Sequence, residues 1–212
     1  MGQARAPDKR RGKTKPVFYL LAGPNGAGKS TLYQALVLAG TVPATAEFVN
    51  ADLYAAAHLR HVAQSQARSE QAQRWADSRR AELLQAGKSF VSETVFSHDS
   101  KLALIEQAQA YGFFVMLLVV ALDQPRRLLA RVAQRVTEGG HDVPADRILA
   151  RYPRTLALLA HAVRLADAAI LYDSHDVTPG THTAVALCKK DWTQELVQPL
   201  PAWARQVLWA HK

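Results

Sequence analysis

Cysteine is almost missing from this chain. Cys188 stands alone, so no internal disulfide can form, and a reducing cytoplasm is the expected compartment. Long hydrophobic runs are missing too. The longest, Phe113 to Leu122, is far shorter than the roughly 18 apolar residues that cross a bilayer, and the basic N-terminus has no apolar stretch after it, so neither a membrane span nor a secretory signal is expected. The eight histidines are scattered, and His141 has no second His, Cys or carboxylate at ligand spacing on a shared element, which argues against a zinc-type centre there. Acidic residues are the minority, 18 against 26 basic ones, for a formal charge of +8. Such a surplus suggests nucleic acid, but most of it lies in residues 1–15, where Arg5, Lys9, Arg10, Arg11, Lys13 and Lys15 face only Asp8. That composition predicts a disordered basic tail, and nucleic acid is not the expected partner.

What is present is a chain of 212 residues, 49% apolar, long enough to bury a core. One domain over residues 16–212 is expected after the tail. Apolar runs at Val17–Ala22, Glu47–Asn50, Phe90–Val91, Phe113–Leu122, Ala168–Tyr172 and Ala184–Cys188 alternate with segments of helical composition. These segments are Lys29–Leu38, Leu53–Ala86, Ser100–Tyr111, Asp123–Glu138, Pro144–Ala166 and Ala202–Ala210, with Asp123 as the expected cap of the fourth. The alternation predicts an α/β fold whose mostly parallel sheet is covered by helices on both faces.

The most informative stretch is Gly23-Pro24-Asn25-Gly26-Ala27-Gly28-Lys29-Ser30, followed by Thr31. It matches the G-x-x-x-x-G-K-[ST] phosphate loop in full, between an expected strand and an expected helix. Backbone N–H groups in such a loop turn toward phosphates, the lysine reaches the β- and γ-phosphates, and the serine hydroxyl joins a Mg²⁺ shell. The expected cofactors are therefore ATP and Mg²⁺, with Ser30 as the metal-side residue and Thr31 near the α-phosphate. Transporter-type ATPases share this loop wording. Here, however, Gln124 stands where their catalytic glutamate belongs, and no LSGGQ-like signature precedes it.

Transfer of a phosphoryl group to an alcohol needs a carboxylate for the hydroxyl proton and cations for the moving charge. Asp52 follows the second strand and Glu93, beside Thr94, follows the third, so both belong at the carboxyl ends where ligands bind in parallel sheets. Asp52 fits a general base or a helix N-cap, and Glu93 with Thr94 fits acceptor binding or a structural role. Arg127, Arg131 and Arg135 share one helix face, as do Arg147, Arg151 and Arg154, with Gly139-Gly140-His141 between the two helices. Two arginine-striped helices joined by such a turn suggest a helical lid over about residues 135–151 that closes on an anion. Arg127 and Arg154 are expected to be solvated. Arg135, Arg147 and Arg151 are the candidates for phosphate contact, and His141 for a hydrogen bond to substrate.

Together Leu21 to Thr31, Val49 to Asp52, Ser92 to Thr94, Arg135 to Pro144, Arg151 to Arg154 and Leu171 to Asp173 resemble the zeta toxin family of bacterial kinases, in its compact branch with Gly-Gly-His-Asp-Val-Pro in the lid. The resemblance implies a P-loop kinase core in which Asp52 is the general base, Lys29 binds ATP, and Arg135 with Arg147 or Arg151 holds the transferred group. It further implies that Glu93 helps seat a hydroxyl-bearing small molecule, with UDP-N-acetylglucosamine as the family's acceptor and an antitoxin protein as partner. A nucleotide-dependent binding module is the competing class. It would not require Asp52.

Overall fold

The computed structural model describes residues 14–137, 143–175 and 181–209. Its frame is a seven-stranded sheet in the order β2-β3-β1-β4-β5-β6-β7. The first five strands, β1 (Val17–Ala22), β2 (Glu47–Val49), β3 (Phe90–Thr94), β4 (Phe114–Ala121) and β5 (Ala168–Asp173), run parallel. Two further strands, β6 (Thr183–Lys189) and β7 (Trp192–Glu195), extend the β5 edge in antiparallel pairing. β7 has no apolar pattern and is exposed at every position, so its sequence carries no strand signal.

The helices are α1 (Lys29–Leu38), α2 (Ala51–His58), α3 (Ser65–Gln85), α4 (Leu102–Ala110), α5 (Pro125–Thr137), α6 (Ala145–Leu165) and α7 (Ala202–Trp209). They cover the sheet on both sides because the parallel strands are apolar on both faces. Phe18, Leu20 and Ala22 of β1 point into one core, with Leu83 and Leu84 of α3, Ile105 of α4, Leu159 of α6 and Trp203 of α7. Leu21 points into the other, with Leu32 and Leu36 of α1 and Leu128 and Val132 of α5. Cys188 is buried in the first core, where burial pushes its thiol pKa up against the opposing effect of a hydrogen bond with Thr193.

Two departures from the sequence expectation have physical causes. The stretch from Leu53 to Ala86 is two helices, with a turn after Leu59 and a hydrogen bond from Val62 N to Leu59 O. A continuous helix would hold Tyr54 and Trp75 about 30 Å apart at 1.5 Å per residue. Folding α3 back on α2 stacks the two rings at a centroid distance of 4.0 Å and 5° between planes, and Arg68 clasps the turn by donating to Val62 O at 2.8 and 3.0 Å.

Asp123 is the second departure. Instead of capping α5, which it precedes, its carboxylate accepts from Ala202 N at 3.0 Å and Trp203 N at 2.6 Å, at the start of α7. Those N–H groups have no partner within their own helix, so a carboxylate about 80 residues away in sequence serves as their cap. Asp123→Ala should therefore lower the unfolding free energy by about 1 kcal/mol, the usual scale for losing a cap. Urea titration followed by tryptophan fluorescence checks this, and an unchanged midpoint would remove Asp123 from the support of α7.

Candidate functional site

β1 lies between β3 and β4, so the chain leaving its carboxyl end emerges at the middle of the parallel sheet. There it turns through Gly23 to Gly28 into α1. Gly26 has φ 79°, and a Cβ on it would stand 2.7 Å from Leu128 O, a backbone atom of α5 that cannot easily move. Gly28 has φ 89° and is the N-cap residue of α1, with no side-chain capping bond. No acidic residue stands in the first turn either. The start of α1 thus keeps the positive end of its dipole, and the glycines let the backbone curl around it, the geometry that favours a phosphate.

Lys29 is only 6% exposed. Its ammonium donates to Gly23 O at 3.0 Å and Pro24 O at 3.1 Å, and lies 3.5 Å from Glu93 Oε1. A buried ammonium needs such partners. Ser30 joins the same cluster by donating its hydroxyl to Glu93 Oε2 at 3.1 Å. Asn50 approaches from β2, with its amide donating to Glu93 Oε2 at 2.8 Å and its Oδ1 accepting from Leu53 N at 3.0 Å. Pro24, Asn25, Ala27 and Thr31 complete the loop and the first turn of α1, and a backbone bond from Ala27 N to Pro24 O at 3.2 Å closes the loop on itself.

The cap of α2 is consequently Asn50, and Asp52 is free of that duty. Asp52 is the second residue of α2, solvent-exposed, and its carboxylate makes no hydrogen bond. It stands two residues past Asn50, at the carboxyl end of β2. Thr94 points to the sheet face opposite Glu93, as successive strand residues must. Its hydroxyl accepts from the backbone N–H of Phe96 at 3.3 Å, helping to hold that buried residue at φ 59°.

The arginine stripes divide. Arg127, expected to be solvated, instead reaches His175, donating to its carbonyl at 3.0 Å with the imidazole Nε2 at 3.2 Å. Arg131 donates to Ser174 Oγ at 3.2 Å and Ser174 O at 2.6 Å. Burial pulls the Arg131 pKa down, the like charge of Arg127 adds to this, and Asp173 opposes both. These two arginines tie α5 to the exit of β5. Arg135, further along α5, is half-buried and engaged with its surroundings. Arg147 is exposed and Arg151 half-buried, and neither makes a hydrogen bond or ion pair among the described residues. α6 is fixed near them by Tyr152, whose hydroxyl donates to Leu122 O at 2.5 Å. His141 and the other residues of 138–142 lie outside the described residues.

Three contributors carried no assigned role in the sequence. Asn50 had a usable signal, an Asn immediately before a helix that starts at a strand exit. Ser174 had none. His182 had none either, yet its Nε2 would lie 2.9 Å from a Cβ placed on Gly28, so its ring rests against the phosphate loop from the far side of the β5–β6 connection.

No curated protein matches the chain. Among solved structures, the chain superposes on one from the PezAT chromosomal toxin–antitoxin system of Streptococcus pneumoniae with TM-score 0.64, at 14% identity, covering 96% of this chain and 82% of that one. It also superposes on one in the AvrRxo1-ORF1:-ORF2 structure with ATP, with TM-score 0.68 at 18% identity, covering 87% and 61%. At such identities the likeness concerns the fold. The model of the family described as Zeta toxin matches residues 3–174, most of the chain and all of the phosphate-loop, Asp52 and Glu93 segments. This protein belongs to the Zeta toxin family.

Proposed function

We propose that the protein is an ATP-dependent kinase that moves the γ-phosphate onto a hydroxyl of a small molecule. The observation that carries this reading is the convergence of Lys29, Ser30, Asn50 and Glu93 at the carboxyl ends of β1, β2 and β3, with the unengaged Asp52 carboxylate beside them. A nucleotide-binding module would need the loop alone. A carboxylate with no structural employment at the mouth of the crevice is what an alcohol acceptor requires.

In this mechanism the loop N–H groups and Lys29 hold the ATP phosphates, with the ammonium exchanging its loop carbonyls for phosphate oxygens. Asp52 takes the acceptor's hydroxyl proton as the oxygen attacks the γ-phosphorus and the bond to the β-phosphate oxygen breaks, releasing ADP. Arg135 and Arg147 or Arg151 neutralise the equatorial oxygens of the moving group. Ser30 and Glu93 offer oxygen ligands adjacent to the phosphates, a donor set that suits Mg²⁺, which keeps several waters and takes few protein ligands. When bound there, Mg²⁺ supplies charge neutralisation on the β- and γ-phosphate oxygens. Glu93 and Thr94, on opposite faces of one strand end, bracket the space where the acceptor sits, with His141 of the lid turn as a further contact.

Family membership makes UDP-N-acetylglucosamine the first acceptor to test and an antitoxin the first partner, a reading supported by the toxin–antitoxin origin of one structural relative. No described helix is long and apolar enough to cross a membrane.

Lys29→Ala should lower phosphorylation by at least about 100-fold, because it removes the point charge at the β/γ-phosphates. Circular dichroism run beside labelled-ATP transfer separates this from unfolding, and a folded variant with full activity would discard the loop assignment.

Asp52→Asn should keep fold and ATP affinity while slowing transfer by roughly 10²-fold or more, the scale of a lost general base. Because Asn50 supplies the cap, melting should be unaffected. A variant that melts early at unchanged rate would reassign Asp52 to structure.

Arg135→Ala, and at least one of Arg147→Ala and Arg151→Ala, should cut the transfer rate by about 10- to 1,000-fold with little change in nucleotide affinity. Lysine should rescue poorly, since it lacks the planar fork that grips two phosphate oxygens. Mass spectrometry of the acceptor, one phosphate heavier, reports the reaction. Wild-type rates in all three variants would return these stripes to ordinary helix surface.

A further inference from the structure

α2, the helix that carries Asp52, buries none of its side chains, and Leu53 next to Asp52 is 55% exposed. Core packing therefore does not fix where the Asp52 carboxylate stands. The stack of Tyr54 on Trp75 lays α2 against α3, but the start of the helix is held by polar contacts. A misplacement of about 1 Å at a reacting group can cost roughly 10²-fold in rate, so what holds that start matters to the chemistry.

Two of these contacts come from consecutive residues of β3, one on each face of the sheet. On the face of the phosphate loop, Glu93 accepts from the Asn50 amide at 2.8 Å. On the opposite face the Ser92 hydroxyl, 1% exposed, donates at 3.2 Å to Val49 O, the carbonyl of the peptide that leads into Asn50. A serine hydroxyl has one proton to give and rotates to suit its neighbours. Arg80 of α3, 5% exposed, sets that rotation: one terminal nitrogen of its guanidinium donates to Ser92 Oγ at 3.2 Å, which leaves the Ser92 proton for Val49 O. The other terminal nitrogen donates to Asp77, three residues earlier on α3, which aims the side chain. A chain of hydrogen bonds thus runs from α3 through β3 to the last residue of β2.

The arrangement costs stability. Arg80 Nε is buried with no hydrogen-bond partner. Around it α3 meets β3 through apolar contacts, Ala76, Leu83 and Leu84 with Phe90, so an unbranched apolar side chain would fill the same place without the desolvation cost of a guanidinium. Packing does not call for a guanidinium here. The direction it gives to one buried hydroxyl does.

We propose that Arg80 is a positioning residue for phosphoryl transfer: through the Ser92 hydroxyl it fixes the Val49 carbonyl, and with it the peptide from Asn50 to the Asp52 carboxylate. The role in transfer rests on the kinase reading; the tether on α2 does not.

The test follows the full chain in three ways: transfer from labelled ATP to the hydroxyl acceptor that the wild type phosphorylates, UDP-N-acetylglucosamine being tried first, hydrogen exchange over residues 50–58, and thermal melting. Arg80→Met removes the guanidinium while filling its space, and it strands no buried carboxylate, because Asp77 is 57% exposed. It should melt no lower than the wild type, yet its kcat should fall by about 10-fold or more with the KM for ATP unchanged. Exchange at the start of α2 should rise. Ser92→Ala should have the same effect on kcat and on exchange. In an Asp52→Asn background neither substitution should slow the residual rate further, since losses that act through one carboxylate do not add. A wild-type kcat in both variants, or a loss that multiplies with that of Asp52→Asn, overturns the positioning role and leaves the kinase reading intact. Unchanged exchange in both variants overturns the tether itself. A wild type that phosphorylates no hydroxyl acceptor is instead a failure of the kinase reading, and the positioning role falls with it; exchange alone then decides whether Arg80 and Ser92 hold α2.

Discussion

Three parallel strands end side by side, and each delivers a polar group that could not remain in that position unaided. Glu93 is the carboxylate they share. It accepts from Ser30 on the helix after β1 and from Asn50 at the end of β2, and it faces the buried Lys29 ammonium at 3.5 Å. Without it, Lys29 would keep only two loop carbonyls, Ser30 would lose its acceptor and Asn50 half of its bonding. The carboxylate therefore couples the shape of the phosphate loop to the start of α2, and through α2 to the placement of Asp52.

That coupling explains a division of labour among neighbouring residues. A helix start needs an acceptor for its first N–H groups, and a transfer site needs an unencumbered carboxylate in the same place. Asn50 takes the first task, and in the proposed kinase Asp52 is left for the second. The same economy appears at the other side of the sheet, where Asp123 caps α7 while Asp173, at the end of β5, accepts from the indole of Trp203 at 2.8 Å and from His175 N at 3.1 Å. The carboxyl ends of β4 and β5 thus serve to anchor the last helix, and those of β1, β2 and β3 carry the polar cluster.

How far sequence alone reaches depends on the range of the interaction involved. The phosphate loop is local, since nine consecutive residues set its backbone, its charge and its helix start. Its neighbours were legible for a similar reason: strands that are apolar on both faces declare a parallel sheet, and the residue just past such a strand must stand at its carboxyl end. Asp123 misled because its N-cap signal for α5 is local while its real partners lie in α7. The break between α2 and α3 was hidden because Leu59 to Gln64 contains neither glycine nor proline, and the contacts that close the turn, Tyr54 on Trp75 and Arg68 on Val62 O, join residues the helical pattern does not bring together. Arg127 and Arg131 share a helical stripe with Arg135, but which of them meet the exit of β5 depends on how α5 crosses the sheet. Nothing in helical spacing sets that angle.

β3 shows how one strand can divide a site. Its side chains alternate by geometry, so Glu93 turns to the face that carries α1 and Lys29, while Ser92 and Thr94 turn to the face that carries α3. The Ser-Glu-Thr sequence therefore sends Glu93 toward the phosphate loop and Ser92 toward Arg80 from consecutive positions. A one-residue slip of β3 against β1 would exchange the two sets and bring Ser92 to Lys29. The parallel pairing of Leu21 with Glu93 and Ala22 with Thr94 opposes such a slip, because Leu21 and Ala22 of β1 are both buried and apolar at that level. The register that packs the core is thus also the register that keeps the loop lysine opposite a carboxylate.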